Sequence, residues 1–223
     1  MGKFTKGLNG PFTGRVGVII GSTWMGIPVL RSQPNKRSTP FKEDELKQQA
    51  RFRIITAFLK PLSYLLRQSF TGVAGRMTGF NRAFSYNVKN ALTGTAPDLQ
   101  INFAMVKIGR GDLPNVDSVS FAVKEKVLAL SWNDNSGLGR AQGTDQVYVA
   151  SYDEASGSWN YVLQLARRSE GGCLYSLASK SGSHQLYLGF ISADGQEKTD
   201  SLYVGRIDLS LENAPEKSLA PGA

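Results

Sequence analysis

Val127-Leu128-Ala129-Leu130-Ser131-Trp132 sets a large apolar side chain at every second position with small or lighter residues between. That period of two is the mark of a strand with one face buried. Val147-Tyr148-Val149-Ala150 repeats the pattern. Working outward, residues 99–108, 119–123, 127–132, 146–152, 159–165, 174–178, 185–192 and 202–209 read as short strands. Turn clusters separate them, among them Asn133-Asp134-Asn135-Ser136-Gly137, Ser156-Gly157-Ser158 and Ala193-Asp194-Gly195. Eight short strands at such spacing predict an antiparallel β-sandwich over residues 97–211.

Upstream of Pro97 the period lengthens to three or four. Thr39-Pro40 supplies an N-cap and a first-turn proline, and Glu43, Asp44 and Glu45 follow where the helix dipole favours anions. Leu46, Ala50, Ile54, Ala57 and Phe58 form the expected apolar stripe. Pro61 should kink or restart this helix, and Leu62, Leu65 and Leu66 continue it. Gly72, Gly75 and Gly79 break it, and a second helix is expected over residues 81–92, stopped at Gly94. The pattern divides the chain into an arm (1–40), a basic helical segment (41–96), the sandwich (97–211) and a tail (212–223), expected to be disordered, that contains Pro215 and Pro221. The fold class is α+β.

Residues 1–40 interleave glycines with Phe4, Leu8, Phe12, Val16-Gly17-Val18-Ile19-Ile20 and Trp24-Met25. The expected form is an extended arm with one short hairpin, its strands over residues 15–20 and 27–31 and its turn at Gly21-Ser22-Thr23. A segment this thin has no core of its own, so its apolar residues need another surface.

Charge is polarised. Residues 1–100 hold 15 Lys and Arg against 4 acids, and residues 101–223 hold 11 against 14, so a net of +11 adjoins a net of −3. Such polarity suits phosphate contact by the basic half, head-to-tail association between copies, or solubility alone. One cysteine and one histidine among 223 residues exclude an internal disulfide framework and a zinc site built from those two residue types alone. No apolar run approaches the roughly 20 residues of a membrane-spanning helix, and 16–20 is too short for a signal-peptide core. The expected location is cytoplasmic, or within an assembled particle or filament, with no Sec export.

The chemistry-bearing motifs are weak. Gly14, Gly17 and Gly21 lack phosphate-loop spacing. His184 reads as an exposed turn histidine and Cys173 as a small residue in or beside a hairpin. Arg110-Gly111-Asp112 fills a turn. Asp134, Asp145, Asp153, Glu154 and Asp194 lack the spacing of a calcium loop. No catalytic, cofactor-binding or metal-binding residue is assigned. The candidate phosphate-facing residues are Arg51, Arg53, Lys60, Arg67, Arg76, Arg82 and Lys89, interleaved with Phe52, Tyr64, Phe84 and Tyr86.

Trp132, Val147-Tyr148-Val149 and Leu186-Tyr187-Leu188-Gly189-Phe190 resemble a fibronectin type III or immunoglobulin-like sandwich. A second resemblance spans nearly the whole chain. Gly10-Pro11-Phe12-Thr13-Gly14-Arg15-Val16-Gly17, Trp24, Arg31, Pro34, Phe80-Asn81-Arg82-Ala83, Asn90-Ala91-Leu92-Thr93-Gly94 and Ser201-Leu202-Tyr203-Val204-Gly205 resemble a family of uncharacterised Bacteroidota proteins. That resemblance implies a bacterial or phage source and transfers no functional residue. The expectation from the residues is a non-enzymatic structural protein that assembles with itself into a filament, sheath or virion-like shell. Its subunit interface would include Phe12, Val16, Val18, Ile20, Trp24 and Arg31, seated on a sheet edge of the next subunit. The alternative is a nucleic-acid-binding module that uses the basic half.

Overall fold

Four short strands open the chain: β1 (Lys3–Phe4), β2 (Phe12–Val16), β3 (Ile19–Trp24) and β4 (Ile27–Ser32) form an antiparallel meander in sequence order. The computed structural model describes residues 3–4, 10–70, 77–124, 126–178 and 182–209. Two compact units result, Met1–Glu45 and Leu46–Ala223. The tail expected to be disordered lies outside the described residues.

The meander corrects the single hairpin expected for the arm. Residues 15–20 cross a turn at Gly17-Val18, and Gly21-Ser22-Thr23 lies inside β3. The reason is backbone handedness. Gly17 sits at φ +59° at the first position of a two-residue loop, and Met25 (φ +48°) and Gly26 (φ +81°) are both left-handed in the next. Such loops match the twist of paired strands. Gly21 pairs with Gly14, and a Cβ there would lie 2.2 Å from the Phe12 carbonyl and 2.8 Å from its ring. Only glycine lets that ring lie across the sheet.

The first long helix also starts later than Thr39-Pro40. α1 spans Glu43–Leu59. Glu45 accepts the Lys42 backbone N–H at 2.8 Å, and Arg37 holds the same carboxylate at 2.6 Å while lying 4.3 Å over the Phe41 ring. An acid three residues into the helix thus caps it in place of the threonine.

In the second unit α1 ends in a 3-10 turn at Lys60–Leu62, and the helix restarts as α2 (Ser63–Ser69), as Pro61 predicts. α3 spans Gly79–Asn90 and is capped by Thr78, whose Oγ1 accepts from the Asn81 N–H. Gly79 begins this helix instead of breaking the chain before it. A Cβ there would sit 2.2 Å from the Leu66 carbonyl, so the residue marks the close approach of α3 to α2.

Leu92 has left the helix for β5 (Leu92–Thr93), which pairs with β6 (Gln100–Ile101). The strand expected over residues 99–108 shrinks to those two residues and a 3-10 turn at Phe103–Met105. Side chains replace a strand partner here. Asn87 accepts the Lys107 N–H at 3.0 Å and donates to its carbonyl at 2.8 Å, while Ser201 accepts the Ile108 N–H. The backbone is satisfied without a ladder.

Seven strands then build the sandwich: β7 (Val119–Lys124), β8 (Val127–Trp132), β9 (Gln146–Asp153), β10 (Ser158–Val162), β11 (Gly172–Ser176), β12 (Ser183–Ile191) and β13 (Leu202–Asp208). One sheet has the order β11-β8-β7 and the other β10-β9-β12-β13, all antiparallel. Leu128, Leu130, Trp132 and Tyr175 from the first sheet share a core with Val147, Val149, Leu186, Leu188 and Phe190 from the second. Trp132 meets Phe190 edge-on at 5.6 Å.

The outer face of the four-stranded sheet is covered as well. Tyr148, Ala150 and Tyr187 cluster with Ile55, Phe58, Leu59, Leu62, Leu65 and Leu66 of the helices. The Trp159 indole N–H donates to the Phe58 carbonyl at 2.8 Å. Residues 147–150 are therefore buried on both faces, and the unit has three layers: helices, sheet, sheet.

Candidate functional site

The register of the meander sorts the arm residues onto two faces. Opposed residues share a face, so Phe12, Val16, Ile19, Pro28 and Leu30 line one side, and Ile20, Trp24, Ile27 and Val29, with Arg15 and Arg31, line the other. Val18 stands in a turn. The six expected interface residues thus divide between both faces instead of forming one patch. Phe12 and Ile20 are half-buried, whereas Val16, Val18, Trp24 and Arg31 are exposed. Leu30 is 67% exposed, and every residue of β4 is open to solvent. Apolar side chains therefore stand exposed on both faces of this sheet, and among the described residues the outer edge of β4 pairs with no strand.

The expected phosphate-facing residues separate into two kinds. Arg51 is half-buried and donates to the Val88 carbonyl at 2.9 Å, so it ties α1 to the last turn of α3. Arg82 is also half-buried on α3. Arg53, Lys60, Arg67 and Lys89 are exposed, and Arg76 lies outside the described residues. Arg53, Lys60 and Arg67 recur every seven residues, close to two helical turns, along the α1–α2 run.

His184 contradicts its reading as an exposed turn residue. It belongs to β12, is 1% exposed, and neither ring nitrogen has a hydrogen-bond partner among the described residues. Alternation with Leu186 and Leu188 turns it into the sandwich, opposite Asp153 in the register. Cys173 lies in β11, and burial pushes its thiol up to about 11, the opposite of what a nucleophile needs. Arg110 stacks 5.5 Å over Tyr86, and the Gly111 N–H donates to Asp200, so this tripeptide is part of the packing.

The acidic residues serve loops and ion pairs. Asp134 and Asp194 accept hydrogen bonds from Ser136 and Ser192, which hold both carboxyls below their ordinary range. Glu154 pairs with Arg206 at 3.2 Å. Among the described residues no group of three or more His, Cys, Asp or Glu could hold a metal ion.

Asp145 reveals the residue that sequence reading missed. Arg168 is fully buried: its Nε donates to Asp145 at 3.0 Å, its Nη1 to the Asn135 side chain at 2.6 Å and its Nη2 to the Pro114 carbonyl at 3.1 Å. Its guanidinium lies 4.2 Å over the Phe190 ring, and its own carbonyl accepts the Trp132 indole N–H. One side chain joins three loops at one end of the sandwich. Nothing in Arg167-Arg168 distinguishes the buried arginine from its exposed neighbour.

Residues 11–205 match the model of a family described as being of unknown function, DUF6266. No curated protein matches the chain. Among solved structures, the fibronectin type III domain of the human collagen alpha-1(XX) chain is similar over 52% of this chain and 96% of its own, at 16% identity and a TM-score of 0.33. Pectate lyase Pel3 from Pectobacterium carotovorum is similar over 48% of this chain and 28% of its own, at 14% identity and a TM-score of 0.23. The strand order in the two sheets, not either similarity, identifies the sandwich. No helix among the described residues is long and apolar enough to cross a membrane.

Proposed function

The chain belongs to the DUF6266 family of unknown function, and we propose that it is a non-enzymatic structural protein that assembles with further copies of itself through its N-terminal sheet. The observation that carries this reading is the exposure of Val16, Ile19 and Leu30 on one face and Trp24, Ile27 and Val29 on the other. Burying one such side chain yields about 1.5–3 kcal/mol. Val16, Ile19 and Leu30 are already partly covered (47%, 45% and 67% exposed), so the three together would give about 2–5 kcal/mol, at the low end of the roughly 4–15 kcal/mol that association costs in lost freedom. A stable polymer therefore needs both faces, or one face and the hydrogen-bonding edge of β4.

A second copy is the partner because of charge. Residues 1–42 contain seven Lys and Arg and no acid, while residues 101–223 carry a net of −3. Light scattering and negative-stain microscopy of the full chain test the reading. Wild type should form filaments, shells or defined oligomers, and Trp24→Ser combined with Leu30→Ser should leave a folded monomer. A wild-type chain that stays monomeric at high concentration overturns it.

Exposed Arg53, Lys60 and Arg67 at seven-residue intervals support a second reading, sequence-independent contact with a nucleic-acid backbone. Three phosphate contacts would give a log–log salt slope of about −2 to −3. Affinity that does not change with salt dismisses it.

A further inference from the structure

A cavity of about 240 Å³ lies in the second unit, between α2 and the outer face of the four-stranded sheet. Tyr64 and Gln68 reach it from successive turns of α2, Gln146 and Tyr148 from alternate positions on β9, and Gln164 from the chain just after β10. The 192–195 turn closes one side. None of the ten lining residues carries a charge. That separates the cavity from the ion-pair clusters elsewhere on the unit, and it disfavours phosphate, carboxylate or metal as its ligand.

Three amides converge here. A side-chain amide has two donors and an acceptor with two lone pairs, so it can meet a hydroxyl in either of that group's roles. Gln68 and Gln164 are exposed and make no side-chain hydrogen bond among the described residues, so both amides are open to a ligand as they are to water, and half-buried Gln146 makes one long bond of 3.4 Å to the Thr144 carbonyl. Tyr64 is 58% exposed and offers an apolar ring face beside a polar tip.

Gln164 adds an independent sign. Its φ is +56°, a left-handed conformation that a side chain such as glutamine rarely adopts. Among the described residues no side-chain hydrogen bond of Gln164 accompanies this conformation. Strained residues of this kind concentrate where a ligand is held.

We propose that this cavity binds a neutral, hydroxyl-rich ligand, one sugar ring, either free or at the end of a glycan. The three amides would bond its hydroxyls, and the Tyr64 ring would cover its apolar C–H face. The volume falls below the roughly 300–1,000 Å³ of drug-sized sites, which suits a single ring. This proposal does not depend on the assembly reading.

The test is 15N NMR of the full chain, following the glutamine side-chain NH2 signals. Glucose, galactose, mannose and N-acetylglucosamine are added at millimolar concentration, with their oligosaccharides in a parallel series. One or more should shift these signals saturably; binding of oligosaccharides alone assigns the site to a glycan end, and binding of free sugars assigns it to the monosaccharide. Gln68→Ala should weaken binding about tenfold, the size of one lost neutral hydrogen bond. Gln164→Gly keeps the backbone conformation without strain, so it should raise the melting temperature while weakening binding. No saturable shift with any neutral sugar overturns the proposal, as does binding unchanged in both variants.

Discussion

Replacing Arg168 by methionine probes the loop end of the sandwich. The variant keeps the volume of the stem over Phe190 but removes all three hydrogen bonds of the guanidinium. Asp145, 1% exposed, then keeps only the Gln142 N–H at 3.0 Å as a donor to its Oδ2. Removing one partner of a buried pair costs about 3–5 kcal/mol, because the remaining charge stays desolvated. The Asn135 side chain and the Pro114 carbonyl belong to half-buried loop residues, which can turn to water and add little. A loss near 4 kcal/mol in a unit of this size lowers the melting temperature by about 8–16 °C.

Thermal and urea unfolding followed by circular dichroism measures it. The double variant Arg168→Met, Asp145→Leu removes the stranded carboxylate and should recover much of the loss, since an apolar pair of similar volume often equals a buried ion pair. The double-mutant cycle isolates that coupling. A single variant that loses less than about 1 kcal/mol, or a double variant no more stable than the single one, would refute the assignment of Arg168 as the pin of these loops.

Three further outcomes are expected. Burial raises the phenols of Tyr148 and Tyr187, and raises Tyr175 to about 12, above the ordinary value near 10. Their contribution to stability is complete below about pH 10 and lost as pH rises through the folded-state values, so near-ultraviolet titration should show these three tyrosines ionising together with unfolding. Hydrogen bonds from Ser136 and Ser192 depress Asp134 and Asp194, whose contribution is present above about pH 4 and lost as pH falls through the lowered values; Asp134→Asn with Asp194→Asn should flatten the acid limb of the stability curve. Gly79→Ala should cost about 1–3 kcal/mol in a melting experiment, because the added methyl meets the Leu66 backbone.

The sandwich was legible because alternation is a local signal. Leu128, Leu130 and Trp132 point inward as their spacing requires, and the pattern of β8 is the one that half-buried strands write. In β9 the period read at residues 147–150 marks the strand but not its burial: α1 and α2 cover the outer face, so Tyr148 and Ala150 are buried as fully as Val147 and Val149. The strand expected over residues 99–108 failed because a side chain intervenes. Asn87 takes the hydrogen bonds of Lys107 across 20 residues of sequence, and no propensity reports a side chain acting as a strand partner. The arm turns were missed at Met25-Gly26, a pair whose first residue seldom adopts the left-handed conformation that this loop demands.

The candidate sites divide along the same line. The exposed apolar side chains of the arm, on which the proposed association rests, were visible as apolar residues in a segment too thin to cover them, which is a statement about quantity and needs no contact map. The meander explains why the residues chosen fell on both faces. Period two assigns neighbours to opposite sides, so any run of consecutive apolar residues, such as Ile19-Ile20, must expose one whenever the other is covered. A one-sided interface would have written polar residues at alternate positions of β3 and β4. Apolar residues on both sides, Leu30 against Val29 and Ile19 against Ile20, favour contact on two faces and hence an assembly that extends from copy to copy instead of closing as a pair. The cavity, by contrast, draws Tyr64, Gln146 and Gln164 from three separate elements, and only their convergence in the fold gives them a common role.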